Sequence, residues 1–458
     1  MAASLLLARD GHGVTLLERD AFDAGSPGES AGWSRRGIPH FLQPHAFIPR
    51  GVAELDQSLP DVLSAIVDAG ARVVDVRPKL PGPPEPADSE LRYLAARRPL
   101  IEWALRRAVR GEARVEVRCG SQIEGIRVED GRVTGVGWDG ATVSGDLYVD
   151  ALGRRTPTTQ WLGEAGVVVP EVQSSDCSVI YYSRYYRQRP GFDLPDGPWF
   201  LSPRGDLGYM AYATFPGDNG TFAGLLAVPT GVPEWRHLKR PAVYEAVVER
   251  IPGLAQWADP AGVEPITEVM PMAGLRNTFR AVPSDWRTGL VPIGDALSHT
   301  DPVLAHGLAF ALVHARELVA ALHENADLDD ACATFGASTA GPLRERYEFA
   351  SELDEQRHRM WTGEPVDYSR PGGDYALFSV QAAGAAAFLD PEIARVFVRR
   401  MGLLDSTSVL DGNPALQVRI ERRFGEIQAQ SRPPLGPPLG EMLATVGDAI
   451  AKDERVTD

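Results

Sequence analysis

The sequence predicts an α/β fold: a three-layer, parallel-sheet domain with a small β-meander, an inserted, mostly antiparallel sheet, and a helical C-terminus. Three observations carry this. The chain opens with a helix, a tight turn and an apolar strand closed by an acid. Two later apolar strands, around 147–150 and 290–293, each empty into an Asp/Gly turn. Between them, from about 170 to 230, lies a run of strand-like, aromatic-rich segments with a different texture.

In order, Ala2 to Ala8 is a short apolar run of helix formers ended by Gly11-His12-Gly13. Val14 to Leu17 reads as a buried strand closed by Glu18-Arg19-Asp20. This pattern is the second half of a βαβ unit, in which an acid at the strand end can accept hydrogen bonds from a ribose. The solvated-charge alternative for Glu18 is weakened by the helix and strand before it. Residues 21–45 are rich in Gly, Ser and Pro and read as an ordered loop. Helix with breaks is expected over 46–69, a strand over 71–76, and a proline-rich surface excursion over 81–86. Arg98-Pro99 opens a helix, since Pro suits the first helical position, and Ile101, Ala104, Leu105 and Ala108 form its apolar stripe. Asp130-Gly131 and Asp139-Gly140 predict the hairpins of a meander.

Leu147 to Asp150 is an apolar strand running into Gly153, where the missing side chain lets backbone approach a nucleotide. Leu290 to Ile293 runs into Gly294-Asp295, then Asp301-Pro302 and Gly307, with helix expected over 303–322. An Asp at that strand end can bind a ribityl hydroxyl, and the amides of the next helical turn can face an anion. The alternative is a Gly-Asp turn followed by an N-capping Asp301. The tail from Ser431 contains Pro433-Pro434 and Pro437-Pro438 and is expected to be peripheral.

Composition sets bounds. The 458 residues are 44% hydrophobic and 24% charged, ordinary for a globular chain with a sizeable core. A net charge of −16 opposes non-specific binding to nucleic acid or anionic membrane. Three scattered cysteines, Cys119, Cys177 and Cys332, argue against a disulfide framework or cysteine-rich metal site. No apolar run reaches membrane-spanning length and no signal peptide is evident, so a cytoplasmic location is expected. His40, His45, His299 and His306 are not at ligand spacing on a shared helix face, and no metal site or Ser–His–Asp arrangement is expected.

The order of these pieces resembles the FAD-dependent monooxygenases related to para-hydroxybenzoate hydroxylase, nearer to the epoxidase-like and halogenase-like branches, over roughly the first 320 residues. The resemblance implies a Rossmann-like FAD-binding domain in two parts, 1–170 and 271–325, around a substrate sheet at 171–270, with a helical region and tail at 326–458. It implies FAD contacts from Glu18, Arg19, Gln43 in the loop 37–45, Arg98, Asp150, Gly153, Gly294, Asp295, Pro302 and Gly307. Catalytic side chains are not specified. The implied reaction is hydroxylation or epoxidation of an apolar or aromatic, secondary-metabolite-like small molecule through a flavin C4a-hydroperoxide, with NAD(P)H or a partner flavin reductase supplying electrons.

The chain departs from that family in lacking the first strand and its G-x-G-x-x-G loop. Met1 falls just after the place of the last Gly, and the expectation is an N-terminal truncation, with the missing strand central in the sheet. Three alternatives stay open: a flavin-dependent halogenase, although the Trp-x-Trp-x-x-Pro segment is absent; a geranylgeranyl-reductase-like oxidoreductase, although Pro198-Trp199-Phe200 does not reproduce its motif; and a truncated relic or binding protein without working FAD. The aromatics of 178–225 are expected to wall the substrate cavity.

Overall fold

The computed structural model describes residues 1–23, 25–194, 203–283, 285–368, 373–430 and 433–457. Pro198-Trp199-Phe200 lies outside the described residues. Strand Val14–Glu18 pairs in parallel with Val115–Cys119, placing Glu18 opposite Cys119. Strand Leu290–Pro292 pairs in parallel with Tyr148–Asp150, with Pro292 opposite Asp150. The second ladder is continued by the Ile293 amide donating to the Asp150 carbonyl at 2.9 Å. Among the described residues no ladder joins the two pairs. One buried cluster nevertheless unites them: Ala3 and Leu7 of helix Ala2–Arg9, Leu290 and Val291, and Ala315 and Leu318 of helix Gly307–Glu324, with Val14 packed against it. Apolar residues on both sheet pairs and on one face of each helix thus form a single layered core.

The meander consists of Ile123–Glu129, Arg132–Trp138 and Ala141–Val143. Both residues of each Asp-Gly turn have positive φ, 50° and 78° in the first, 52° and 70° in the second, as two-residue hairpins with the twist of their strands require.

The inserted sheet is antiparallel. Val179–Gln188 lies between Thr221–Pro229 on one side and Val263–Pro265 and Met270–Met272 on the other, and Ala211–Pro216 and Arg204–Asp206 extend it. Strand alternation sorts its aromatics onto two faces. Tyr182, Tyr186, Tyr212 and Phe222 pack against Val243, Tyr244 and Val247 of helix Pro241–Glu249. The opposite face carries Tyr181, Ala211, Leu225, Ala227 and Met272, which meet Met360 and Trp361 at the end of helix Leu328–Trp361. Most of the aromatics expected to wall a cavity are therefore core packing, and the face toward the C-terminal helices is built largely of small and aliphatic residues.

The tail also departs from expectation. Helix Leu439–Thr457 buries Met442 and Val446, 0% and 1% exposed, in the cluster that covers the sheet's aromatic face. The Tyr209 hydroxyl anchors the approach by donating to the Pro437 carbonyl at 2.6 Å. The amphipathic stripe of the tail supplies the cover that a one-sided sheet needs. The helix expected over 303–322 is likewise split. A 3₁₀ turn, Pro302–Leu304, ends in left-handed Ala305 at φ 57°, and the α-helix begins at Gly307. No described helix is long and apolar enough to cross a membrane.

Candidate active site

The parallel strands bring three loops to one edge: the segment after Glu18, the turn after Asp150 and the segment after Ile293. Glu18 accepts from the Asp20 amide at 3.0 Å and from Arg35 Nη2 at 2.6 Å. Arg35, with its side chain only 7% exposed, also reaches Asp20 at 2.8 Å and Glu102 at 2.5 Å. Burial opposes its charge, but these three carboxylates outweigh burial and raise its pKa. Glu102 is held in turn by Arg98 at 3.2 Å, an i,i+4 pair on helix Arg98–Gly111. Arg98 Nη1 lies 3.5 Å from His45 Nε2. A continuous charged track therefore leads from the end of the first strand toward the third loop.

At its far end Asp295 faces His299 Nδ1 at 3.3 Å. A Cβ added at Gly307 would sit 3.7 Å from Asp295 Oδ1, so the carboxylate lies against the first turn of helix Gly307–Glu324. Burial works against ionisation of Asp295. The hydrogen bond with His299 and the positive charge of Arg98 prevail, and its pKa falls to about 2. Burial and the charge of Arg98 lower His40 to about 4 and His45 to about 3, so both imidazoles are neutral at physiological pH. The cationic groups acting on this region are then Arg98 and Arg154, the latter with its pKa lowered by burial and by Arg155.

The other predicted residues fall as follows. Asp150 is buried and turned inward, accepting from Leu152 N at 2.9 Å and from the Thr156 and Thr158 hydroxyls at 2.6 Å each. It organises the turn in which Gly153 takes φ 84° with nothing within 4 Å of its missing side chain. Gln43 is committed at both ends, donating to Met270 O at 3.1 Å and accepting from Ser183 Oγ at 2.6 Å, so it ties the loop to the inserted sheet. Exposed Arg19 lies against Gly37, where an added Cβ would meet Nη2 at 2.7 Å. Gly294, at φ 56°, donates its amide to His314 Nδ1 at 2.9 Å. Pro302 is half-buried and follows Asp301.

Asp301 caps the 3₁₀ turn at Val303 N, 3.1 Å away, and does more. It accepts from Tyr181 Oη at 2.5 Å and Arg357 Nη2 at 2.7 Å. Cys177, Asp301 and Asp354 place potential ligand atoms within 4.8 Å of one another, but the Arg357 guanidinium, 2.8 Å from Asp354 Oδ1, already supplies the positive charge there.

An adenine-flavin dinucleotide needs a ribose acceptor, cationic groups near its phosphates, an ionised acceptor for its ribityl chain, and apolar cover for its ring. Glu18, Arg35, Arg98, Arg154 and Asp295 are groups that could meet the first three. Leu42, Leu152 and Val303 stand 37%, 45% and 49% exposed, one in each of three site loops, and offer the fourth. The residues present fit the group.

Sequence reasoning missed Arg35, Glu102, His314 and Arg357. Glu102 was detectable from its i,i+4 spacing to Arg98. The others carry no local signal.

No protein-family model matches this chain. Protein Rv3254 of Mycobacterium tuberculosis is 26% identical over 449 residues, covering 88% of this chain and 87% of its own length. Among solved structures, PqsL, a probable FAD-dependent monooxygenase from Pseudomonas aeruginosa, superposes with a TM-score of 0.56 at 16% identity, over 79% of this chain and 95% of its own. The myxobacterial chondrochloren halogenase CndH superposes with a TM-score of 0.53 at 18% identity, over 98% of this chain and 93% of its own. The chain therefore has the fold shared by FAD-dependent monooxygenases and FAD-dependent halogenases.

Proposed function

We propose that the protein is an FAD-dependent monooxygenase of a small apolar or aromatic substrate, acting in the cytoplasm with NAD(P)H or a partner flavin reductase as electron source. The observation that carries this reading is the track Glu18–Arg35–Glu102–Arg98, which leads along the carboxyl ends of the parallel strands toward Asp295. Ligands of open α/β sheets bind at that edge. Bound FAD would supply electron transfer and oxygen activation.

The chain's own residues then have distinct tasks. Glu18, shared with Arg35, holds the ribose, and Arg98 neutralises phosphate charge. Asp295 would accept ribityl hydroxyls, and the segment Pro302 to Gly307 would border the flavin end. Arg19 borders the nucleotide end. Asp150 and Gly153 shape the turn that lets backbone come close. Gln43 couples the flavin-side loop to the sheet. Neutral His40 and His45 add no competing charge.

A halogenase is the second reading. The likeness to CndH extends over 98% of the chain, against 79% for PqsL. The test is to load the purified chain with FAD, record flavin absorbance, and incubate the reduced protein with candidate aromatic substrates, O2 and bromide. A product heavier by one oxygen supports monooxygenation, and a brominated product supports the second reading. Failure of the wild type to hold flavin better than Asp295→Ala would overturn both.

A further inference from the structure

Strands Tyr148–Asp150 and Leu290–Pro292 run side by side only as far as the bond from the Ile293 amide to the Asp150 carbonyl. Each then turns away through a left-handed glycine, Gly153 at φ 84° and Gly294 at φ 56°. Beyond that bond, no hydrogen bond among the described residues joins the two turns directly.

One side chain closes the gap. Arg280 follows strand Arg276–Phe279, which pairs with Ser298–His299 just past the second turn. Its amide donates to the Leu297 carbonyl at 2.9 Å. Its guanidinium donates Nη1 to the Ala296 carbonyl and Nη2 to the Arg154 carbonyl, each at 3.1 Å. Ala296 adjoins Asp295 and Arg154 adjoins Gly153. The rigid, planar fork therefore sets the spacing between the two segments that border the candidate cleft.

The surroundings do not favour a cation for its own sake. Arg280 borders a cavity of about 30 Å³ that is largely apolar, with Leu162, Val282, Trp286 and Leu290 in its lining. Its Nε is buried without a partner. Burial lowers its pKa, and the charge of Asp150 opposes that effect. A hydrophobic side chain of similar volume commonly serves such a place as well or better. What it could not supply is a pair of donors aimed at two carbonyls.

We propose that Arg280 is a positioning residue for FAD: its donation to the Arg154 and Ala296 carbonyls holds the turn after Asp150 and the turn around Asp295 at the separation that the dinucleotide requires. The inference rests on the flavin reading of the cleft. Arg280 acts through the two backbones and is not itself a ligand of the cofactor.

The test titrates full-length wild type, Arg280→Met, Arg280→Ala and Arg280→Lys with FAD, following flavin fluorescence. Hydrogen exchange of the flavin-free proteins is measured alongside. Arg280→Met should weaken FAD about tenfold or more, because two charge-assisted hydrogen bonds are lost. The amides of Leu152, Thr156, Ala296 and Leu297, all bonded within the two turns, should exchange faster. In Arg280→Ala, millimolar guanidinium should recover FAD affinity, and tetramethylammonium at the same ionic strength should not. A general loss of packing would not be repaired by a cation that donates. Equal FAD affinity in wild type and Arg280→Met, turn amides that exchange no faster, or no recovery with guanidinium would each overturn the inference. If Arg280→Met and Arg280→Ala do not fold, Arg280→Lys, a point charge without the fork, should show the weakened affinity, and wild-type affinity there refutes the role. Wild type that holds no FAD defeats the flavin reading, whereas wild type and variants that hold it equally defeat this inference alone.

Discussion

The buried group around Arg357 makes a quantitative prediction about protonation. One guanidinium nitrogen reaches both Asp301, at 2.7 Å, and Asp354, at 2.8 Å. Asp301 also accepts from the Tyr181 hydroxyl and the Val303 amide, whereas Asp354 accepts from the Asn277 amide at 2.8 Å and faces Asp301 itself. The carboxylate with more donors keeps its charge. Asp354, raised first by burial and then by the charge of Asp301, titrates at about 9 instead of 3.8. The native state therefore holds a proton between these limits that the unfolded chain releases. This group's contribution to stability is whole below about pH 4 and declines as pH rises toward 9, by about 1.4 kcal/mol per pH unit.

Asp354→Asn is neutral at every pH and removes that slope. Urea unfolding at pH 5, 6, 7 and 8 should show the variant gaining on wild type by about 1.4 kcal/mol per pH unit, about 4 kcal/mol across the range. Parallel pH profiles for the two proteins would refute the assignment of the proton. In Asp301→Asn, Asp354 is free to ionise and pair with Arg357. The double variant Asp301→Asn/Asp354→Asn leaves the guanidinium without a counter-ion and should lose about 3–5 kcal/mol, more than the sum of the single losses.

Four further substitutions have defined outcomes. Arg35→Met strands Glu18, Asp20 and Glu102 together and should lower unfolding stability by about 3–5 kcal/mol, with weaker FAD retention on gel filtration. Ala305→Gly relieves the left-handed backbone of a non-glycine residue and should stabilise by about 0.5–1 kcal/mol in urea unfolding. Met442→Ala opens a cavity under the sheet's aromatic face and should cost about 2–5 kcal/mol in the same assay, an effect that a peripheral tail would not give. His314→Leu strands the Gly294 amide and should cost about 1–3 kcal/mol, with amide exchange at Gly294 accelerated.

Where local pattern dictated local structure, the sequence was sufficient. Val14 to Glu18 formed a strand because its apolar run is bounded by a glycine turn and an acid. The Asp-Gly pairs at 130–131 and 139–140 became hairpin turns because few residues accept positive φ at consecutive positions. The placement of Glu18 and Asp295 at strand ends was legible for the same reason. The partners of these acids were not. Arg35 meets Glu102 across 67 residues of chain, and Arg357 meets Asp301 across 56. Nothing in the composition of either neighbourhood marks such a meeting.

The sequence by itself determined the main elements and the strand ends near which Glu18 and Asp295 stand, since both follow from backbone preference and hydrophobic period. Tertiary structure alone decided which face of the inserted sheet its tyrosines serve, that the tail covers that face, and which distant carboxylates Arg35 and Arg357 reach. Alternation along a strand divides residues between two sides but does not say what lies on either. A charge in the sequence likewise does not reveal whether folding will bring an opposite one within reach.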